Sequence, residues 1–276
     1  MKTVSVLIPS RLQRIAGDPS NGYFLQRAVR SVLRQTVVAS SNVRLQIIVG
    51  IDTDAQPVTG VAELAHVEFA RSGGRSQAGA LNAAAKRIQG DFVAVLEDDD
   101  EWMPPFLEVA TAAAEKCAFV SSNQMEVAGT VERIADYPTP SGWFMPVQTW
   151  ATVGKFNEEY RWHIDSEWLG RLNERSVARV HLVEADAPLP NETGRRSLTD
   201  LLPGRAKAKR ARRGLLRVIE ATEQVRVLRH EYERPLVVRH RHAGSGMESI
   251  KHTAELTSAS RAEKERLRAR FGRPPW

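Results

Sequence analysis

The chain is poor in cysteine and has no long apolar run. Both absences narrow the classes of protein to which it can belong. Cys117 is the only cysteine among 276 residues, so no disulfide can form within the chain, which fits a reducing compartment. No segment reaches the roughly 18 consecutive apolar residues that a membrane-spanning helix needs. The first apolar run, residues 4–8, stops at Pro9 and is followed by Arg11 and Arg14, unlike a signal peptide. We therefore expect a cytoplasmic protein without a transmembrane segment.

The positive charge of the chain is concentrated in its last third. The net charge is +6, but residues 1–190 carry −5 and residues 191–276 carry +11. Residues 195–217 hold nine lysines and arginines against one acidic residue, Asp200. A solvated helix face explains such a run as well as a functional surface does. A functional surface would predict an anionic partner, such as nucleic acid, a phospholipid surface or an acidic acceptor.

Apolar segments in the first half of the chain alternate between strand and helix patterns. Strands are predicted at residues 4–8, 45–51, 66–70, 92–96 and 118–121, with helices at 24–33 and 78–88 and another opening at Pro104. Strands separated by helices of this length pair in parallel through right-handed crossovers. The pattern predicts an α/β protein with a mostly parallel, twisted sheet flanked by helices.

The pattern is looser in the second half. A strand is predicted at residues 143–145 and a helix at 164–175, followed by a loop over 186–204. Further predictions are a long basic helix at 205–228, a strand at 236–241 and a final helix at 249–270. We therefore expect a main domain over residues 1–190 and a basic, helical C-terminal extension over residues 191–276 that completes the active site.

Polar clusters follow three of the predicted strands. They are Pro9-Ser10-Arg11, Asp52-Thr53-Asp54 and the acidic run 97–101. Ligands of open parallel sheets bind outside the carboxyl ends of the strands, so these clusters should meet in one crevice. Neighbouring carboxylates repel each other, and a divalent cation removes that repulsion. The acidic run predicts a Mn²⁺ or Mg²⁺ site, with a solvated acidic turn as the alternative.

Four segments of the chain resemble family 2 glycosyltransferases of the GT-A fold, a Rossmann-like architecture. Residues 95–104 resemble the Asp-x-Asp region of that family, in which Glu97 replaces the usual first Asp. The other three segments resemble its first strand, its first helix and the segment before the acidic motif; they are residues 4–10, 25–36 and 74–84. The resemblance covers residues 3–175, with a weaker similarity at 236–246.

The resemblance implies a metal-dependent, hexosyltransferase-type enzyme. Such an enzyme moves a sugar from a nucleoside-diphosphate donor, here expected to be a UDP-sugar, to an acceptor hydroxyl. Asp52 would contact the nucleobase, and Asp98 and Asp99 would hold the ribose and the metal ion, with Asp99 as the direct ligand. The implied site also includes Pro9, Arg11, Arg71 and Arg75 on the nucleotide and Asp100 on the metal ion.

The resemblance also suggests a general base and a late metal ligand. Residues 163–172 are similar to a helix start whose Asp is the base of inverting members, which assigns that role to Asp165. A first-turn charge that complements the helix dipole is the alternative for Asp165, and Glu167 is the fallback base. Residues 240–247 resemble the family's late His-x-x-Ser motif, and His242 matches its metal-binding His best.

Other functions stay open at this point. A sugar nucleotidyltransferase usually has a Gly-rich loop after the first strand, but this chain has no glycine before Gly17. The basic segment also allows a lid over the donor diphosphate, a glycosyltransferase that modifies nucleic-acid bases, or a non-catalytic nucleic-acid-binding protein. No recognisable nucleic-acid-binding motif supports the last two, and no Cys/His cluster has the spacing of a zinc site.

Overall fold

The computed structural model describes residues 1–17, 22–40, 43–187, 216–221, 224–242, 244 and 250–272. Within these residues the strands are β1 (Lys2–Ser10), β2 (Val43–Ile51), β3 (Val67–Arg71), β4 (Phe92–Val95), β5 (Asp100–Trp102), β6 (Phe119–Ser122), β7 (Gln124–Ala128), β8 (Val131–Ala135), β9 (Trp143–Pro146), β10 (Arg179–Val183), β11 (Leu216–Ala221), β12 (Val225–His230) and β13 (Val237–His240). The helices are α1 (Phe24–Leu33), α2 (Thr36–Ala39), α3 (Gln77–Ala85), α4 (Phe106–Ala114), α5 (Val147–Val153), α6 (Ile164–Glu174) and α7 (Ala254–Phe271).

A large twisted sheet with the order β11-β12-β10-β6-β9-β4-β1-β2-β3 forms the centre of the described structure. Strand β1 pairs in parallel with β2 and β4, β2 with β3, and β10 with β6 and β12. Strand β9 lies antiparallel between β4 and β6, and β11 is an antiparallel edge strand. Helices pack on both faces, so the predicted α/β class with a mostly parallel, helix-flanked sheet is confirmed.

The apolar strands of the first half are buried on both faces, as central strands of parallel sheets are. In β1, Val4, Val6, Leu7 and Ile8 are all fully buried. One face packs on α1 and α4, and the other packs on α3 and α6 together with an aromatic cluster around Trp143 and Trp168. This burial fixes the register of the strands and so the positions of their carboxyl ends.

A smaller sheet with the order β5-β13-β7-β8 lies next to the acidic segment. Strand β5 begins at Asp100 and pairs antiparallel with β13, which also pairs in parallel with β7. The acidic run is therefore divided, because Glu97, Asp98 and Asp99 follow β4 of the large sheet while Asp100 begins β5 of the small one. Strand β13 brings the late histidines to this junction.

The predicted helix over residues 205–228 is wrong where the structure describes it. Residues 216–221 and 225–230 form β11 and β12, a pair of antiparallel strands. In β12 the side chains alternate, because Val225 and Val227 are buried while Arg226 is exposed, and this two-residue period belongs to a strand. Residues 205–215, most of the predicted loop 186–204 and the basic residues 195–215 lie outside the described residues.

The last helix begins later than predicted. A 3₁₀ turn occupies Ile250–His252, and Thr253 then caps α7 by accepting a hydrogen bond from the Leu256 amide at 3.2 Å. In the described part of the chain, no helix combines the length and hydropathy that a bilayer crossing requires.

Candidate active site

An open cleft lies at the carboxyl ends of β1, β2 and β4. Its position follows the rule for open parallel sheets. Six residues predicted for the site line it, namely Pro9, Arg11, Asp52, Asp98, Asp99 and His242. Ser10 and Glu97, members of the polar clusters predicted to meet here, also line it. The remaining lining residues had no predicted role, namely Gln13, Phe24, Ser76, Gln77, Ala80 and Gly244.

Asp99 and His242 meet inside the cleft. The Nε2 atom of His242 lies 2.9 Å from Oδ2 of Asp99, and each side chain keeps about a quarter of its surface exposed, 24% and 22%. The Arg27 guanidinium donates a hydrogen bond to the Asp99 carbonyl oxygen at 2.7 Å, which fixes the backbone beside the carboxylate. Two side chains of metal-binding type, from distant parts of the chain, therefore face the same space.

The carboxylates before Asp99 are held by polar neighbours. The Ser10 hydroxyl donates to Oδ2 of Asp98 at 2.5 Å, and the Gln77 amide donates to Oε1 of Glu97 at 2.5 Å. Burial, followed by the charge of Asp99, raises the pKa of both Glu97 and Asp98 to about 7. Negative charge is therefore crowded at this point, and a cation would relieve it.

Asp100 does not face the cleft, in contrast to its prediction as a metal ligand. Its side chain is fully buried. Its Oδ2 accepts a hydrogen bond from the Ser141 hydroxyl at 2.5 Å, and its Oδ1 accepts one from the His240 amide at 3.2 Å. Burial raises the pKa of Asp100 well above its ordinary value. Asp100 thus joins β5 to β13 and has no oxygen directed at a ligand.

Asp52, predicted to contact the nucleobase, lines the cleft together with Arg11. Burial raises the pKa of Asp52, and the positive charge of Arg11 opposes that effect. Arg71 and Arg75, predicted to contact the base or diphosphate, do not line the cleft. Arg71 donates to the carbonyl oxygens of Thr53 and Ala55, and Arg75 forms an ion pair with Asp54. Both arginines brace the loop that follows β2.

Asp165 lies in the first turn of α6, outside the residues that line the cleft. Its Oδ1 accepts a hydrogen bond from the Ser166 amide at 2.7 Å, and burial raises its pKa. The charge of Asp165 contributes to the raised pKa of Glu97, which places the two carboxylates in one electrostatic environment. The fallback base, Glu167, is buried in an ion pair with Arg171 at 2.9 Å and so is already occupied.

The described residues contain no group of three or more His, Cys, Asp or Glu side chains that could hold a metal ion alone. Mg²⁺ and similar ions often bind through one or two protein carboxylates and complete their shell with substrate phosphates. Asp99 and His242 offer two side chains that can bind a metal ion, and both line the open cleft. The donor set therefore suits an ion that arrives with a diphosphate.

A family assignment follows from the sequence that builds this site. The sequence model of the protein family Glycosyl transferase family 2 matches residues 21–169, more than half of the chain. The chain belongs to glycosyl transferase family 2. Its matched region runs from α1 to α6 and includes Asp52, the acidic motif and Asp165. No curated protein matches this family 2 chain.

Solved structures similar to this family 2 chain include those of TarS from S. aureus. TarS 1-349 in complex with UDP-GlcNAc gives a TM-score of 0.49 at 12% identity, covering 96% of this chain and 66% of that one. TarS 1-349 in complex with UDP gives a TM-score of 0.46 at 13% identity, covering 62% and 55% of the two chains. This family 2 chain spans less than two thirds of each TarS chain.

Proposed function

We propose that this family 2 chain transfers a hexose from a UDP-sugar to an acceptor hydroxyl in a Mn²⁺- or Mg²⁺-dependent, inverting reaction. The observation that carries the proposal is the Asp99–His242 pair, 2.9 Å apart in a cleft at the carboxyl ends of the parallel strands. Asp98 and Asp52 line the same cleft, so one ligand could contact both the Asp99–His242 pair and the residues proposed to hold the nucleoside.

The donor would lie along the cleft from Asp52 to Asp99. Asp52 accepts hydrogen bonds from a nucleobase in this proposal, and Asp98, oriented by Ser10, accepts them from the ribose. Pro9 and Arg11 also line the cleft. Arg11 also offers its guanidinium group to the phosphates.

Asp99 and His242 would hold the metal ion. A mixed set of one carboxylate and one imidazole favours Mn²⁺ over Mg²⁺, because imidazole is a better ligand for the later transition metals. When bound, such an ion stabilises the charge that develops on the leaving diphosphate. Burial and the charge of Asp99 raise the pKa of Glu97 and Asp98, and a bound cation would favour the ionised form of both carboxylates.

Asp165 would remove the proton from the attacking hydroxyl. Burial raises its pKa, which makes the carboxylate a stronger base than one in water. Among the described residues, the hydrogen bonds to the Asp165 side chain come from Ser166, and both reach Oδ1. In this proposal Oδ2 takes the proton of the attacking hydroxyl. A base that acts on the face opposite the leaving group gives inversion at the anomeric carbon.

We further propose that residues 1–190 bind the donor and that residues 191–276 complete the site through His242. The acceptor is proposed to be anionic, since the net charge of residues 191–276 is +11. A low-salt preference for anionic over neutral acceptors would test this point, because screening weakens attraction between exposed charges.

A thermal-shift panel tests the core of the proposal. UDP with Mn²⁺ should raise the melting temperature more than GDP or dTDP with Mn²⁺, or UDP with EDTA, because ligands that bind the folded state stabilise it. Asp99→Asn should lose the Mn²⁺-dependent part of the shift, whereas the exposed control Asp186→Asn should keep it. An equal response of Asp99→Asn and wild type would remove the metal argument.

Turnover then tests the base. Asp165→Asn should bind UDP with Mn²⁺ as the wild type does but hydrolyse UDP-glucose at least about a hundredfold more slowly, in the range that general base catalysis contributes. Full turnover in Asp165→Asn would show that another group takes the proton.

A further inference from the structure

Glu263 is a buried carboxylate in the middle of α7. Its residue is only 5% exposed. Its Oε1 accepts a hydrogen bond from the Arg161 amide at 2.8 Å, and its Oε2 accepts two more, from the Trp162 amide at 3.1 Å and the His163 amide at 3.2 Å. Hydrogen bonds to an ionised acceptor are roughly twice as strong as neutral ones. One side chain therefore fixes three consecutive backbone groups.

Those three residues lead directly into α6, whose first turn carries Asp165. His163 is the N-cap residue of α6, but its side chain makes no capping hydrogen bond. Its ring instead contacts α7, since Nε2 lies 2.9 Å from the Ser260 hydroxyl oxygen. The path from α7 to the first turn of α6 is thus short and consists of direct contacts.

The two helices also contact each other farther along. Gly170 of α6 lies so close to the Phe271 ring that a Cβ at residue 170 would be 2.5 Å from it. Arg270 reaches two acidic residues of α6, Glu167 at 3.5 Å and Glu174 at 3.1 Å. Contacts in the middle of α7 and at its C-terminal end hold the helix in one position, so Glu263 is a fixed point for the segment before α6.

We propose that Glu263 is a positioning residue that sets the place of Asp165 relative to the acceptor. The inference rests on the proposed role of Asp165 as the base. Glu263 never touches the substrate; it holds residues 161–163, and they hold the first turn of α6. A catalytic group displaced by about 1 Å can lose about a hundredfold in rate, so a small shift here is enough to matter.

A double-mutant cycle separates positioning from general stability. Glu263→Gln keeps the shape of the side chain but replaces one accepting oxygen with a donor that faces backbone amides. Its exposed neighbour Glu265→Gln is the matched control on the same helix. The readouts are the kcat for hydrolysis of radiolabelled UDP-glucose with Mn²⁺, the Kd for UDP with Mn²⁺, and the melting temperature.

Glu263→Gln is expected to lower kcat by about ten- to a hundredfold, while the Kd for UDP changes less than about twofold. In the Asp165→Asn background the same change should lower kcat no further, because the group that it positions is already absent. An equal loss in both backgrounds, a parallel loss of UDP affinity, or full activity of Glu263→Gln would each overturn the inference.

Amide hydrogen exchange tests the structural half without any turnover. Exchange at residues 163–167 should become faster in Glu263→Gln, while exchange in α3 stays unchanged; unchanged exchange at 163–167 overturns the inference. If Glu263→Gln does not fold, Ser260→Ala should also speed up exchange at residues 163–167, by a smaller factor. Wild-type exchange at these residues in Ser260→Ala would then overturn the inference. A wild type that neither binds UDP nor hydrolyses UDP-glucose contradicts the proposed function instead, and the exchange result still decides the contact between α7 and α6.

Discussion

The imidazole of His242 stacks on the phenyl ring of Phe24, with the ring centroids 4.5 Å apart and the planes inclined by 22°. Phe24 opens α1 and is 8% exposed, so the ring is held firmly by the core. The Arg27 guanidinium lies 5.5 Å from the same phenyl ring and also donates to the Asp99 backbone. The first turn of α1 thus orients both members of the Asp99–His242 pair.

Loss of this stack should weaken metal-dependent binding. Phe24→Leu keeps an apolar side chain but removes the flat surface, so the imidazole gains freedom. Since aromatic pairs contribute about 0.5–1.5 kcal/mol beyond their burial, the Mn²⁺ concentration for half-maximal UDP binding should rise by roughly two- to tenfold. Calorimetric titration of UDP at several Mn²⁺ concentrations measures this half-maximal concentration. Phe24→Tyr should restore the wild-type value; a Leu variant with unaltered Mn²⁺ dependence would show that the stack is irrelevant to binding.

Removal of the Ser10 hydroxyl should weaken UDP binding through the proposed contact between Asp98 and the ribose. Ser10→Ala leaves Oδ2 of Asp98 without its 2.5 Å hydrogen bond. Hydrogen bonds to charged groups contribute about 1.5–3 kcal/mol, and part of that should appear as a roughly three- to tenfold increase in the Kd for UDP. Ser40→Ala, which lies outside the cleft, should bind UDP like the wild type. Equal affinities of the two variants would contradict the role given to Asp98.

Close packing of β2 against α3 predicts a large effect at Gly50. A Cβ there would lie 1.9 Å from the Ala80 carbonyl oxygen, a backbone atom of the helix that lines the cleft. Gly50→Ala must therefore move α3, and overpacking of this kind costs about 1–3 kcal/mol or more. The melting temperature should fall by several degrees. Gly73→Ala, with nothing within 4 Å of its Cβ position, is the matched control and should melt close to the wild type.

Acid should destabilise the protein partly through His230. Burial lowers the pKa of this histidine from 6.5 to about 4. Between these values the unfolded state binds more protons, so the stability that the neutral ring provides is complete above pH 6.5 and is lost as the pH falls toward 4. Each unit of the pKa difference corresponds to about 1.4 kcal/mol.

Urea denaturation across that pH range measures the effect. His230→Asn, whose side-chain oxygen can accept from the Tyr232 amide, should show a shallower fall in unfolding free energy than the wild type. The exposed His66→Asn should show the wild-type slope. Parallel pH curves for His230→Asn and the wild type would refute the assignment.

The sequence was sufficient to predict the parallel half of the sheet and part of the lining of the cleft. Runs such as residues 4–8 and 45–51 are apolar on both faces, and only a central strand buries both faces. The polar residues that follow them must then meet at one edge. This reasoning brought Pro9, Asp52 and Asp99 together, and the structure places all three on the cleft.

The features that were missed depend on contacts between distant segments. Asp98, Asp99 and Asp100 look alike in the sequence, but Asp100 begins β5 and turns into the protein. Strands β7 and β8 contain polar residues such as Glu126, which is buried against Arg239 and Arg133. The sequence around Asp100 and around Glu126 contains no pattern that predicts the burial of either side chain. The basic run over residues 205–217 led to a predicted helix that extended to residue 228, where the structure instead has β11 and β12.

The distance along the chain between the paired residues of the cleft has a consequence for biosynthesis. Asp99 and His242 are 143 positions apart, and β13 reaches β5 only after most of the chain has been made. A nascent or prematurely terminated chain that ends before residue 242 displays the acidic motif without the imidazole beside it. Contacts between residues so far apart in the sequence also form slowly in folding, because the entropy cost of closing the long loop between them precedes the stabilisation that they bring. The proposed metal site is therefore complete only once residue 242 has been synthesised.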